Sequence, residues 1–145
     1  MVRPDWVDSY GHMNMACYLA VFDMATDALW PRLGLGAPFR AQGLGTFAAE
    51  TWVNYVREVR EGMPLDCESE VLAHDAKRLL AVHRMRHATE GWLAAENEVL
   101  YLCVDLGARR VAPWPPAVLD RLVALGTGNP ARRLALGRRE ARPAG

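Results

Sequence analysis

The pattern of apolar and polar residues is helical in the first third of the chain. Residues 16–30 contain no Gly or Pro, and their few polar side chains form one narrow stripe. Asn14 is suited to be the N-cap, and Pro31 and Gly34 would end the helix. A helix that is apolar over most of its circumference is usually buried. The pattern therefore predicts a buried helix from Ala16 to Trp30.

Beyond residue 45 the pattern changes to the two-residue period of β-strands. Residues 46–59 are rich in β-branched and aromatic residues, and apolar and polar residues alternate in 65–71 and 82–88. A further strand is predicted over 92–104. Short Gly- and Pro-containing turns separate these segments, which is typical of an antiparallel meander.

The remaining segments are short. Residues 1–7 are expected to be extended, because Pro4 disfavours a helix there; residues 35–45 are expected to form a loop, and 117–125 a C-terminal helix. A flat sheet cannot bury one helix alone, so the sheet must curl around it. The predicted class is therefore α+β with the hot-dog fold, a long curled antiparallel sheet wrapped around one buried helix. Uncovered sheet edges favour a homodimer or a dimer of dimers.

Composition limits the classes of protein that fit this fold. The chain has 145 residues, a mass of 16.1 kDa and 51% hydrophobic residues, which is enough for one domain. Its net charge of +0 disfavours nucleic acid as a partner. Neither a membrane span nor a secretory signal is evident, and the three cysteines lie far apart. We therefore expect no membrane association, no disulfide scaffold and a cytoplasmic location.

The C-terminal segment differs from the rest in charge. We place the hot-dog domain at residues 1–126 and a basic tail at 127–145. The tail contains five arginines against one acid, Glu140. These arginines are Arg132, Arg133, Arg138, Arg139 and Arg142. Two interpretations stay open, a solvated end or a contact for the phosphates of a nucleotide-like ligand.

Candidate chemistry is concentrated just before the predicted helix. A carboxylate (Asp8), a Gly turn, a His and an Asn precede the helix N-terminus, whose free amides can stabilise an oxyanion. A carboxylate beside such a site suits acyl hydrolysis, either as a nucleophile or as the base that activates water. The alternative is that these side chains only cap and brace a turn.

The segment Asp8-x-x-Gly11-His12-Met13-Asn14 with Tyr18 resembles the signature of hot-dog acyl-CoA thioesterases of the 4-hydroxybenzoyl-CoA type. Met15 stands where that signature often has a second Asn. Within this family the chain is most similar to betainyl-CoA thioesterases of carnitine degradation, some of which are fused behind a carnitine dehydrogenase. The segments that carry this likeness are 4–8, 25–29, 50–51, 75–79 and 112–115.

The resemblance implies a role for each matched residue. It identifies Asp8 as the catalytic carboxylate and the backbone N–H of Met15 as the group that polarises the thioester carbonyl. It also implies that Gly11 provides the turn. The residues expected to line the substrate pocket are His12, Asn14 and Tyr18. No cofactor is implied, because CoA is part of the substrate.

Weaker candidates lie on the predicted strand 46–59 and around Asp8. Two interpretations stay open for Glu50 and Thr51: an ordinary strand end, or residues that meet a substrate across a dimer interface. Trp6, Tyr10 and Trp52 are candidates for an aromatic cage around the quaternary ammonium of betaine, with core packing as the alternative.

Other polar residues of the strands are expected to be structural. Glu96 and Glu98 are expected to face solvent. His83 and His87 are too far apart along a strand to bind one metal ion, so no metal site is predicted.

Two alternatives to a betainyl-CoA thioesterase remain. One is a thioesterase for other aliphatic or aromatic acyl-CoA, and the other is a non-catalytic hot-dog module that binds acyl-CoA.

Overall fold

Five antiparallel strands form one open sheet. The computed structural model describes residues 1–126, 128 and 131–137, so Arg138, Arg139, Glu140 and Arg142 of the predicted tail lie outside the described residues. The strands are β1 (Leu44–Tyr55), β2 (Leu65–His74), β3 (Arg78–His87), β4 (Leu93–Asp105) and β5 (Arg110–Val111). Their order is β1–β4–β3–β2, with the short β5 paired to β4. The long strands β1 and β2 are therefore the two edges of the main sheet.

The long helix α1 (Met15–Leu33) packs on one face of this sheet. Its buried side chains recur at helical spacing and form a single stripe: Tyr18, Phe22, Thr26, Leu29 and Leu33. The opposite side is more open than its apolar character led us to expect, since Leu19 and Met24 are 40% and 50% exposed. The helix also passes through Pro31 and ends only at Gly34, whose φ of 76° is left-handed.

The predicted strands and C-terminal helix are present, but two predictions of local structure and the predicted strand order were wrong. Residues 4–6 form a 3₁₀ turn rather than extended chain, because Pro is well suited to a first helical position. A short helix, α2 (Ala37–Ala41), interrupts the predicted loop, again with Pro in its first turn. The C-terminal helix α3 (Pro116–Leu125) agrees with the prediction to within one residue.

The third correction concerns strand order. A meander would pair β1 with β2, but β1 pairs with β4 along its whole length. The segment that follows β1 instead turns back to β4, because the N–H groups of Val56 and Arg57 both donate to the carbonyl of Ala94. Only β2, β3 and β4 form a meander, and β1 lies on the free side of β4 as the other edge strand.

The two faces of the sheet are covered by different parts of the chain. On the inner face, Val99, Tyr101 and Cys103 of β4 pack with α1 and α3. On the outer face, apolar residues of the sheet pack against residues 131–136. Glu96 and Glu98 belong to this outer face and are only 8% and 2% exposed. The expectation that they face solvent was wrong, because the chain returns to cover them.

None of the helices in the described part of the chain has both the length and the apolar character that a membrane crossing requires.

Candidate active site

The loop that precedes α1 is a small closed turn that holds Asp8. The N–H of Asp8 donates to the carbonyl of His12 at 3.0 Å, and the N–H of Gly11 donates to the carbonyl of Asp8 at 3.0 Å. Gly11 has a φ of 78°, a conformation that strains residues with a side chain. A bridge between Val7 and Met13 closes the turn at its base.

The carboxylate of Asp8 is half-buried and partly engaged. Its Oδ1 accepts a hydrogen bond from the N–H of Tyr10 at 2.9 Å, which fixes the side chain relative to the turn. Among the described residues, this is the one hydrogen bond found to the carboxylate. The remaining lone pairs are therefore available to a reacting group.

The first amides of α1 lie immediately after this loop. Asn14 is the N-cap, as predicted, and its Oδ1 accepts from the N–H of Ala16 at 2.9 Å. The carbonyl of Asn14 accepts from the N–H of Cys17 at 2.9 Å. No partner for the N–H of Met15 is found within the described residues, and Met15 is 70% exposed. An open amide at the positive end of a 19-residue helix is suited to bind a developing oxyanion.

His12 is paired with a residue that the sequence did not single out. Its Nε2 lies 3.0 Å from Oε2 of Glu58, in the segment after β1. The N–H of Met13 donates to the carbonyl of Val59 at 2.7 Å, so the same segment is joined to the loop twice. Glu58 lies within residues 46–59, which the sequence pattern predicts as one strand, so the pattern did not indicate a contact with His12.

Tyr18 lies under the loop and is almost completely buried, at 4% exposure. Burial raises the pKa of its phenol, although a hydrogen bond to the backbone of Val59 acts in the opposite direction. Its ring meets that of Tyr55 edge to face, with 5.0 Å between centroids. The hydroxyl of Tyr55 donates to the carbonyl of Met15 at 3.3 Å. The two tyrosines thus contact the first turn of α1 and each other, which stabilises the start of the helix.

The aromatic candidates are not gathered in one place within a single chain. Trp6 is half-buried beside the loop, where its carbonyl accepts from the N–H of Asn14 at 2.8 Å, and Tyr10 is 83% exposed. Trp52 lies on the outer face, where the guanidinium of Arg133 stands 5.7 Å from its ring centroid. The outer face is opposite to the one that α1 covers.

Glu50 and Thr51 lie on the exposed part of the edge strand β1. The hydroxyl of Thr51 accepts from the side-chain amide of Asn97 at 2.7 Å, and the same amide donates to the carbonyl of Trp52 at 3.0 Å. Asn97 is 2% exposed. The sequence pattern did not predict a role for Asn97. The polar residues that stand in phase on this strand are Glu96 and Glu98, which lie on the other face of β4.

Thr51 and Asn97 line a cleft of about 360 Å³ between α1 and β1. The other polar side chains in its wall are Asp23, Thr26 and Tyr101.

Behind this cleft, His83 forms a buried polar cluster. Its Nε2 lies 3.2 Å from both the Thr26 and Tyr101 hydroxyls, and its Nδ1 lies 2.7 Å from the Ser69 hydroxyl. Burial lowers the pKa of His83 to about 4 and raises the pKa of Tyr101 to about 12. His87, on the same strand, instead contacts the turn that follows β3 through the N–H of Glu90.

Comparison with known proteins identifies the family of the chain. A family model described as the Thioesterase-like superfamily matches residues 2–122. The betainyl-CoA thioesterase of Pseudomonas aeruginosa is 40% identical over 125 residues, which are 86% of this chain and 79% of that protein. The L-carnitine dehydrogenase/betainyl-CoA thioesterase of Agrobacterium fabrum is 39% identical over 83% of this chain, which spans about a quarter (25%) of that longer protein.

Solved structures agree on the fold. A protein of Pseudomonas putida KT2440, assigned as a thioesterase, superposes with a TM-score of 0.76 at 35% identity, over 99% of this chain and 93% of that one. The protein SAV2348 of Staphylococcus aureus, solved in complex with CoA, gives a TM-score of 0.81 at 23% identity, over 98% and 91% of the two chains. The predicted hot-dog fold and the predicted class of enzyme, a thioester hydrolase, are therefore confirmed. The chain belongs to the Thioesterase-like superfamily.

Proposed function

We propose that this chain hydrolyses betainyl-CoA to betaine and CoA, with Asp8 as the reacting carboxylate. The observation that carries the proposal is the half-buried Asp8 side chain in the turn directly before the open N-terminus of α1. The substrate is inferred from the names of the relatives in Pseudomonas aeruginosa and Agrobacterium fabrum.

The reaction needs a group that polarises the thioester and a group that attacks it. The thioester oxygen would accept a hydrogen bond from the N–H of Met15, where the helix dipole stabilises the negative charge that develops. Asp8 would then attack the carbonyl carbon, or take a proton from a water that attacks it. In both routes the carbon–sulfur bond breaks, water supplies the new acid oxygen, and the sulfur leaves as the CoA thiol.

The surrounding residues would shape the pocket. Gly11 permits the turn that presents Asp8, and Asn14 fixes the first turn of α1. His12 would line the pocket from its position beside Glu58, and Tyr18 would support its floor.

We also propose that the active protein is a homodimer, or a dimer of two such dimers. Residues 47–51 on the edge strand β1 are exposed, including Phe47 at 53%. An open strand edge with an exposed aromatic side chain is suited to pairing with a second copy. Glu50 and Thr51 would then lie at the subunit boundary, near the substrate of the partner.

The quaternary ammonium of betaine would be held by aromatic rings, because it cannot donate hydrogen bonds. Trp6 and Tyr10 flank Asp8 in sequence, and the exposed ring of Tyr10 is free to cover a bound acyl group. Three free cysteines, Cys17, Cys67 and Cys103, are consistent with a reducing compartment, so we propose a cytoplasmic location.

The test compares betainyl-CoA with its neutral isostere, 3,3-dimethylbutanoyl-CoA. Two cation–π contacts of about 1–2 kcal/mol each would favour the charged substrate in kcat/KM by roughly 10²-fold. Equal or faster turnover of the neutral thioester would reject the cage and leave a thioesterase for other acyl-CoA. Binding of CoA thioesters without turnover of any of them would indicate a non-catalytic module.

A further inference from the structure

The outer face of the sheet is covered by residues 131–137, which we call the strap. Ala131, Leu134 and Leu136 pack against four apolar side chains of β2, β3 and β4. These side chains are Leu72, Leu80, Val82 and Leu100, each at most 6% exposed. The strap therefore seals an apolar patch that belongs entirely to the sheet.

Glu98 binds the backbone of the strap. Its carboxylate accepts from three consecutive amides, those of Arg132 at 2.5 Å and of Arg133 and Leu134 at 2.9 Å each. Burying a carboxylate is costly unless hydrogen bonds satisfy it, and Glu98 is only 2% exposed. Because all three donors are backbone amides, these contacts bind the main chain of the strap rather than its side chains.

Two flanking contacts recognise the side chains of the strap. Nη1 of Arg132 lies 2.6 Å from Oε2 of Glu96 on β4. The guanidinium of Arg133 stands over the ring of Trp52 on β1, at 5.7 Å from its centroid. The face thus offers, side by side, a cation site, an aromatic platform, an amide acceptor and an apolar patch.

We propose that this outer face is a peptide-binding site, and that its ligand in this protein is the strap of the same chain. The ligand it fits is a short segment with two adjacent cations followed by apolar residues at the next and the third position, as in Arg132-Arg133-Leu134-Ala135-Leu136. Glu98 is the central determinant, because it binds the backbone. The site is on the opposite face of the sheet from α1 and does not depend on the proposed thioesterase reaction.

Hydrogen exchange of the full-length wild-type chain tests whether the strap is bound in solution. The amides of Arg132, Arg133 and Leu134 are expected to exchange at least ten times more slowly than free peptide amides, at every protein concentration. Rapid exchange would overturn the proposal. Protection that disappears on dilution would also contradict it, since the strap would then come from a second copy.

Binding in trans tests whether the face is a separable site. We would disable the strap in the full chain with Arg132→Ala and Leu134→Asp, then titrate a labelled, capped peptide of residues 131–137 and follow its anisotropy. The disabled chain should bind the peptide at least ten times more tightly than wild type, where the attached strap competes. No binding by the disabled chain up to millimolar peptide would overturn the proposal.

A matched pair of sheet variants identifies the determinant. Glu98→Ala, added to the disabled chain, should weaken peptide binding at least tenfold. Glu68→Ala should leave it unchanged, because Glu68 is a solvent-exposed carboxylate that lies 4.0 Å from Arg86. If Glu98→Ala prevents folding, Glu98→Gln replaces it with the same expectation. Equal peptide binding by the disabled chain, by its Glu98→Ala variant and by its Glu68→Ala variant would show that Glu98 is not the determinant. That result would reject the site as described.

Discussion

Asp8 and Glu98 are two carboxylates whose surroundings differ in one decisive respect. Asp8 is half-buried and accepts one backbone hydrogen bond, from Tyr10. Glu98 is 2% exposed and accepts three, from the strap. A carboxylate whose lone pairs are already occupied is a structural anchor, whereas one with open lone pairs in a turn directly before a free amide is available for chemistry. Burial alone therefore does not indicate which acid reacts.

The sharpest test of this comparison exchanges each acid for its amide. Asp8→Asn preserves shape but removes the base or nucleophile, so turnover of the best thioester should fall by about 10²–10⁴-fold. Glu98→Gln should leave kcat/KM close to the wild-type value, because Glu98 faces the strap. Steady-state kinetics on both variants, with circular dichroism as a check of folding, decides the matter. Wild-type turnover by Asp8→Asn would refute the assignment of Asp8.

His83 is buried like Glu98, and it has no counter-charge among the described residues, so its burial makes the stability of the fold depend on pH. Burial lowers the pKa of His83 to about 4, so the folded protein keeps it neutral where the unfolded chain, with a pKa near 6.5, binds a proton. The stability that this difference contributes is fully present above about pH 6.5. It is lost as the pH falls towards 4, by up to about 3 kcal/mol.

Urea unfolding between pH 7.5 and 4 measures this effect. His83→Gln, which retains a polar group near the position of Nε2 but does not titrate, should flatten the pH dependence of the free energy of unfolding relative to wild type. Parallel curves for the two proteins would show that other groups cause the acid sensitivity.

The helix and the four long strands were predictable because their signals are local. Periodicity placed α1 and β1–β4 within a few residues, and the Asp8 loop was found from residue types that are adjacent in sequence. Glu98 was misassigned because the segment that buries it lies more than 30 residues later in the chain. Glu58 was missed for a similar reason, since its partner His12 is in another element. The pairing of β1 with β4 likewise depends on contacts that no short window contains.

If Glu98 is an anchor rather than a reacting group, its replacement should lower stability and not activity. In Glu98→Gln the side-chain NH₂ group replaces an acceptor opposite backbone donors, which leaves at least one amide unsatisfied. We expect the free energy of unfolding to fall by about 1–3 kcal/mol. The control Glu68→Gln, on an exposed carboxylate, should change it by no more than about 0.5 kcal/mol. Equal effects of the two substitutions in a urea titration would contradict the anchoring role of Glu98.

The smallest effect concerns the cap that separates Asp8 from the free amide of Met15. Asn14 satisfies the N–H of Ala16, so Asn14→Ala should cost about 0.5–2 kcal/mol of stability and loosen the first turn of α1. Because the Met15 amide would then be less well positioned, kcat should also fall, though less than in Asp8→Asn. Asn14→Asp retains a capping oxygen and should restore most of the stability, which urea unfolding would measure. If Asn14→Ala lowered stability but left kcat unchanged, the Met15 amide would not be the group that polarises the thioester.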